Sequence, residues 1–215
     1  MRIYEGKYLS VTSIIELREP FNKTGFSKWC LSHGLDEKLV SSTSRILGDK
    51  VSEYLNDISS GLQGITSPQI DMLEGRLYSG IDDFLKEWEL VSTEKEVFCE
   101  ELGYAGRYDG IVKKRGGKET LLVDWKTFGA WKKGLYKRDS KKIKHTTWQL
   151  TLYANALKWS NGLGVVIFKN NGTWELERVK FDNEIVEWVR DNKDLIFKTI
   201  QDERSKKILE ANETL

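Results

Sequence analysis

Two cysteines, two histidines and two prolines are all that 215 residues contain of these types, and each scarcity removes a class of explanation. Cys30 and Cys99 lie far apart and are too few for a four-cysteine zinc or iron–sulfur site, so ordinary buried thiols are expected and no iron–sulfur cluster. His33 and His145 have no partner at catalytic spacing and read as surface or loop residues. Pro20 and Pro68 sit near element boundaries rather than in a proline-rich linker. No apolar run approaches the roughly 20 residues that span a bilayer, so no membrane partner is expected. The opening Met1-Arg2-Ile3-Tyr4-Glu5 has neither the apolar core of a signal peptide nor the composition of a transit peptide. A cytoplasmic protein is expected, and a bacterial or phage origin fits better than an organellar one. Repeats and low-complexity tracts are also missing.

What is present is a mixed, soluble composition, 39% hydrophobic and 31% charged, with a formal net charge of +1. That small net charge hides an asymmetry. Residues 71–103 hold ten Asp/Glu against three Lys/Arg, and residues 104–148 hold thirteen Lys/Arg against four acids. A basic segment of that kind suits a polyanionic partner, although by charge alone a solvated lysine-rich loop explains it as well.

The periodicity divides the chain. Residues 11–17 predict a short helix capped by Thr12 or Ser13, and residues 42–58 and 68–90 carry apolar positions at helical spacing. In the latter, Ile70, Leu73, Leu77, Ile81, Phe84, Leu85 and Trp88 form one stripe. From there the pattern turns to strands over 94–101, 106–113 and 119–126, with a hairpin signal at Arg115-Gly116-Gly117-Lys118. A basic loop over 127–145, a helix over 147–159, strands over 165–168 and 173–179, and one long helix over 182–210 complete the expectation. The fold class is α/β: one domain over 1–215, with a central mixed β-sheet flanked by helices. Residues 1–90 form its mainly helical N-terminal half, 91–181 the sheet with its helix, and 182–215 a C-terminal helix.

Three short pieces bear chemistry. Gly106-Arg107-Tyr108-Asp109-Gly110 alone is a turn, because Asp-Gly is a common turn dipeptide, yet Tyr108 and Ile111-Val112 suit a strand. The glycines on either side would let backbone or a ligand come close. In Leu121-Leu122-Val123-Asp124-Trp125-Lys126-Thr127 an apolar run is broken by an acid and, two residues on, a lysine. On a strand these two side chains share a face. As a surface pair they would contribute under about 1 kcal/mol; on a buried central strand they need each other, a metal or a substrate. Gln149 and Tyr153 are four apart, on one face of a helix, and alone would be an incidental glutamine beside a core tyrosine.

Together, Gly-X-hydrophobe-Asp, Asp-X-Lys and Gln-X-X-X-Tyr, in this order and spacing, resemble the PD-(D/E)XK nuclease superfamily and within it the RecB-like exonuclease branch. The stretch Ser10-Val11-Thr12-Ser13-Ile14-Ile15 is similar to openings of mitochondrial genome maintenance exonucleases and their phage relatives. The resemblance is strong over about residues 90–160 and weaker over 8–60. It implies a restriction-endonuclease-like core and a hydrolase that cuts DNA with Mg²⁺ or Mn²⁺, the hard cations that oxygen ligands suit. It also implies site roles: Asp109, Asp124 and the Trp125 carbonyl as metal ligands, Glu94 completing the site, and Lys126 beside the scissile phosphate. Gln149, Tyr153 and Arg107 would contact DNA.

Beside such a site, the basic segment with Lys132, Lys133, Lys137 and Arg138, and with Trp131 and Tyr136 interleaved, reads as a DNA-binding loop. If about six of its cations touch phosphate, affinity should fall about 10³-fold or more between about 50 and 200 mM salt. One departure stands out. Many relatives carry a metal-binding histidine in a Gly-X-X-X-His context, and here Gly48 is followed by Ser52.

The implied partner is DNA that is single-stranded or has a free single-stranded end. The implied activity is exonucleolytic or flap-trimming, as in repair and recombination. A structure-specific endonuclease and a catalytically inactive DNA-binding module on the same fold are the alternatives. The presence of Asp109, Asp124 and Lys126 together argues against the inactive module.

Overall fold

Alternating apolar side chains on the central strands bury both faces of one sheet, so helices must cover it on each side. The computed structural model describes residues 1–20, 23–32, 34, 36–61, 72–128, 140–169 and 171–213. Their order is β1 (Ile3–Tyr4), β2 (Tyr8–Ser10), α1 (Val11–Arg18), α2 (Lys23–Ser32), α3 (Glu37–Ser59), α4 (Met72–Glu87), β3 (Trp88–Cys99), β4 (Tyr104–Lys114) and β5 (Thr120–Phe128). Then come α5 (Ser140–Leu157), β6 (Gly162–Lys169), β7 (Trp174–Val179), α6 (Asn183–Asp191) and α7 (Lys193–Glu213). The seven strands form one mixed sheet in the order β1-β2-β4-β5-β6-β7, with β3 paired to β4. This is the α/β class that the sequence predicts.

Strands β3, β4 and β5 form an antiparallel meander, and α5 then carries the chain across to β6, which runs parallel to β5. The predicted turn at Arg115–Lys118 joins β4 to β5, with Gly116 at φ +67°. On β5, Leu122 joins the apolar cluster beneath α1, α5, α6 and α7, while Leu121, Val123 and Trp125 join the cluster beneath α3 and α4. On β6 the same alternation sends Val165 and Ile167 one way and Val166 and Phe168 the other.

Several element boundaries differ from those expected. The cap of α1 is Ser10, whose Oγ accepts from the Ser13 N–H at 3.1 Å, rather than Thr12 or Ser13. Helix α4 ends at Glu87, and Trp88 opens β3 opposite Lys114. Trp88 keeps helical spacing from Phe84 and stacks on it at 6.2 Å, so periodicity alone could not tell the strand from a further helical turn. Helix α5 starts at Ser140, inside the segment expected to be loop, and Trp159 lies beyond its end. The long C-terminal helix is two helices. Asn192, at φ −109° and ψ 25°, leaves helical geometry between α6 and α7, and its side chain donates to the Trp188 carbonyl at 2.8 Å. The short strands β1 and β2 were not foreseen. They are too brief for periodicity to register, and β2 exists through its pairing with β4.

Candidate metal and nucleic-acid site

A strand has two hydrogen-bonding edges, and β4 uses them unequally. One edge pairs with β3 along the strand, from Trp88↔Lys114 to Cys99↔Tyr104. The other is shared. Strand β5 takes residues 110–113, ending at Gly110↔Val123, and β2 takes Tyr104 and Ala105. Between them β4 and β5 fork, and the next residues on each strand are Asp109 and Asp124. At the mouth of this fork the Trp125 N–H donates to Asp109 Oδ2 at 2.8 Å. The Trp125 carbonyl leaves the strand on the same side as its N–H, toward the gap.

The alternation of β5 decides which side chains enter the site. Trp125 points into the α3/α4 face, where its ring meets Phe84 at 5.9 Å and Phe168 at 6.1 Å. Asp124 and Lys126 therefore project to the α1/α5 face, sharing it with Leu122. Asp124 is 1% exposed, and the Lys126 ammonium pairs with its Oδ2. Asp124 Oδ1 is buried with no hydrogen-bond donor among the described residues. Such an oxygen is costly unless a cation or donor meets it.

The electrostatics agree. Burial, and then the charge of Asp124, push Asp109 up to about 8, against the opposing pull of Lys126 and the Trp125 N–H. Burial alone would lower Lys126, but the carboxylates of Asp124 and Asp109 outweigh it and hold the ammonium above its usual range. Two carboxylates crowded against one lysine do not both ionise, so Asp109 holds its proton up to about pH 8, and a cation at the fork would let it go. The oxygen donor set and the orphaned Asp124 oxygen fit a hard divalent cation.

The expected third acid is close but engaged. Glu94 falls between the register pairs Thr93↔Gly110 and Lys95↔Tyr108, which sets it across from Asp109. Its backbone is left-handed, at φ +51°, a conformation that costs a non-glycine residue about 1 kcal/mol or more. Glu94 Oε2 pairs with Arg107 Nε at 2.7 Å. Among the described residues no three His, Cys, Asp or Glu side chains converge as a metal cluster.

An open cleft of about 230 Å³ reaches Asp109 but not Asp124 or Lys126, and is lined by Glu94, Arg107 and Asp109 from the sheet and by Gln149 and Tyr153 from α5. Ser52 of α3 also lines it. Gln149 Nε2 donates to the Tyr153 hydroxyl at 3.1 Å, and Tyr153 is 3% exposed. Burial foremost, with Asp109 and Asp124 adding to it, holds the Tyr153 hydroxyl well above its ordinary range and thus neutral. Gly106 and Gly110 each make room for an aromatic ring, and Gly106 also lines the cleft. A Cβ on Gly106 would stand 2.5 Å from Tyr153 Cε1, and one on Gly110 would stand 2.4 Å from Trp125 Cζ2.

Sequence reasoning missed the part of the cleft made by the N-terminus: Arg2, Tyr4, Ser10 and Thr12. The Arg2 guanidinium lies 4.6 Å from the centre of the Tyr4 ring. Ser10 and Thr12 fall within the stretch already singled out for its resemblance, whereas nothing about Arg2 marks it in the sequence. The expected DNA-binding residues Trp131, Lys132, Lys133, Lys137 and Arg138, with Tyr136, lie outside the described residues. No helix among the described residues is long and apolar enough to cross a membrane.

No family model and no curated protein matches the chain. Among solved structures it is similar to LHK-Exo in complex with dAMP, at TM-score 0.48 and 12% identity over 98% of this chain and 95% of that one. It is likewise similar to the alkaline exonuclease LHK-Exo from Laribacter hongkongensis, at TM-score 0.48 and 11% identity over 98% and 95% of the two chains.

Proposed function

We propose that this chain is a Mg²⁺- or Mn²⁺-dependent deoxyribonuclease acting on single-stranded DNA ends. The observation that carries the reading is the fork itself. Asp109 and Asp124 stand on neighbouring strands where the ladder stops, Lys126 is on the same face, and one buried Asp124 oxygen lacks a donor. A surface ion pair would need none of this burial.

Asp109, Asp124 and the Trp125 carbonyl would hold the cation, which supplies Lewis-acid chemistry to the phosphodiester and its attacking water. The Lys126 ammonium, held charged by its carboxylate neighbours, would offset negative charge that develops on the phosphate. Asp109 is itself held by the Trp125 N–H, so its carboxylate is oriented before any ligand arrives. The Gln149 and Tyr153 pair forms the opposite wall and would meet the sugar-phosphate chain with neutral hydrogen-bonding groups. The Arg2 guanidinium and the hydroxyls of Tyr4 and Thr12 in the same cleft suit a phosphate track leading to it. As a working division, residues 1–215 act as one nuclease domain.

The test is cleavage of end-labelled single- and double-stranded DNA in Mg²⁺, Mn²⁺ or EDTA, beside an Asp124→Ala variant. Metal-dependent cleavage that the variant loses is the expected result, and the ladder from each labelled end reads the polarity. Cutting of covalently closed single-stranded circles would replace the exonuclease with an endonuclease. Folded protein that binds DNA and cuts no substrate would leave the inactive binding module.

A further inference from the structure

Glu94 and Arg107 each have a role in the nuclease reading, one toward the metal and one toward DNA. The structure gives them to each other, at 2.7 Å. Arg107 lies two residues from Asp109 on β4, and Glu94 stands across from Asp109 on β3. Long side chains reach diagonal neighbours across a ladder, so Glu94 lies between two destinations. One is the carboxylate pair at the fork, whose site holds two acids without it. The other is Arg107. The left-handed backbone at Glu94 is local strain at the very residue whose side chain has this choice. Both side chains line the cleft, with Arg107 half exposed and Glu94 about one-fifth exposed, so a phosphate entering the cleft can reach the guanidinium.

We propose that the Glu94–Arg107 pair is an exchange latch: a DNA phosphate that takes Arg107 releases Glu94 to complete the metal site. A guanidinium binds phosphate as readily as carboxylate, through the same fork of donors, so the swap replaces one charge-assisted contact by another. Without DNA the cation would have Asp109, Asp124 and the Trp125 carbonyl; with DNA it would gain Glu94. Linkage makes the effect reciprocal, and metal must tighten DNA binding by the same factor. A partly exposed pair of this kind is weak enough to break, so coupling of about 3- to 10-fold is expected rather than an all-or-none switch. The latch rests on the proposed metal site.

The test is a double-mutant cycle read by Mn²⁺ binding in a calorimeter, not by activity. Arg107→Met should bind Mn²⁺ about 3- to 10-fold tighter than the unaltered chain, because Glu94 is freed. In the Glu94→Gln background the same Arg107→Met change should produce no gain. Saturating oligothymidylate, added on a Lys126→Met background to limit cleavage, should tighten Mn²⁺ binding more when Glu94 is present than in Glu94→Gln. A gain that persists without Glu94 would mean that Arg107 merely repels the cation, and would overturn the latch; so would no gain at all. If the unaltered chain binds Mn²⁺ and Asp124→Ala does not, the metal site stands whatever the cycle shows. If the unaltered chain binds no Mn²⁺, site and latch fall together.

Discussion

The two halves of β4 make opposite use of the same kind of backbone. Residues 110–113 are paired on both edges, with β3 and β5, and bury Val112 completely. Residues 106–108 pair with β3 only, and beside the edge left open stand the half-buried carboxyl of Asp109, a strained glutamate across the ladder and an ion pair. The closed half is stabilised in the ordinary way, by burial and backbone hydrogen bonds. The open half carries charged groups and a strained backbone that contribute less to stability than burial and ladder hydrogen bonds do. Breaking β4 pairing on one edge is therefore what creates a place for chemistry, and the other edge keeps it rigid.

The difference is sharpest in substitutions that separate stability from activity. Asp124→Ala should reduce cleavage by about 10³-fold or more, as expected when a group that meets the reacting phosphate or its cation is lost. The same variant should lose no more than about 1 kcal/mol in urea unfolding, because relief of the crowding on Asp109, which also attracts Lys126, offsets the lost ion pair. A large loss of stability would instead make Asp124 a structural residue. In the closed half the opposite is expected. Gly110→Ala places a Cβ 2.4 Å from Trp125 Cζ2 and should cost about 1–3 kcal/mol in urea unfolding, with lost activity following lost fold.

The pH dependence follows from Asp109, whose carboxyl is pushed up to about 8 in the folded chain. Between its ordinary range near pH 4 and about pH 8 the native state keeps a proton that the unfolded state has released. Stability without metal should therefore be greatest at the acid end of this window and fall as pH rises through it. In EDTA, the melting temperature should drop between about pH 5 and pH 8 by at least about 2–4 °C, corresponding to about 1 kcal/mol. Asp109→Asn should flatten that slope; an unchanged slope would place the titration elsewhere. The smallest effect belongs far from the fork. Arg178 meets Glu119 at 2.7 Å in an exposed pair, and Arg178→Ala should cost no more than about 1 kcal/mol and leave cleavage unchanged.

Much of the site was legible because its chemistry is local. Asp124 and Lys126 share a face by the period of a strand, and Gln149 and Tyr153 by that of a helix, so each pair follows from spacing alone. The boundary at Trp88 was not legible, since a residue four after Phe84 packs on it from a helix or from a strand. Arg2 was not legible either. It reaches the cleft only because β2 pairs with β4, a contact between residues almost a hundred positions apart. Glu94 was singled out for the metal and Arg107 for DNA, and spacing within one segment held no hint that they meet.

What the chain determined by itself is the order of its longer elements, the two-faced sheet and which motif residues share a side. These follow from residue-by-residue periodicity and turn chemistry, which act over a few positions. Tertiary structure alone decided that β2 and β5 share one edge of β4, that they leave a gap there, and that Glu94 faces Arg107 across the ladder. The physical reason is that edge pairing and charge pairing are settled between segments. A strand's sequence specifies which face is buried, whereas the competition for its hydrogen-bonding edge is decided by every other strand that can reach it.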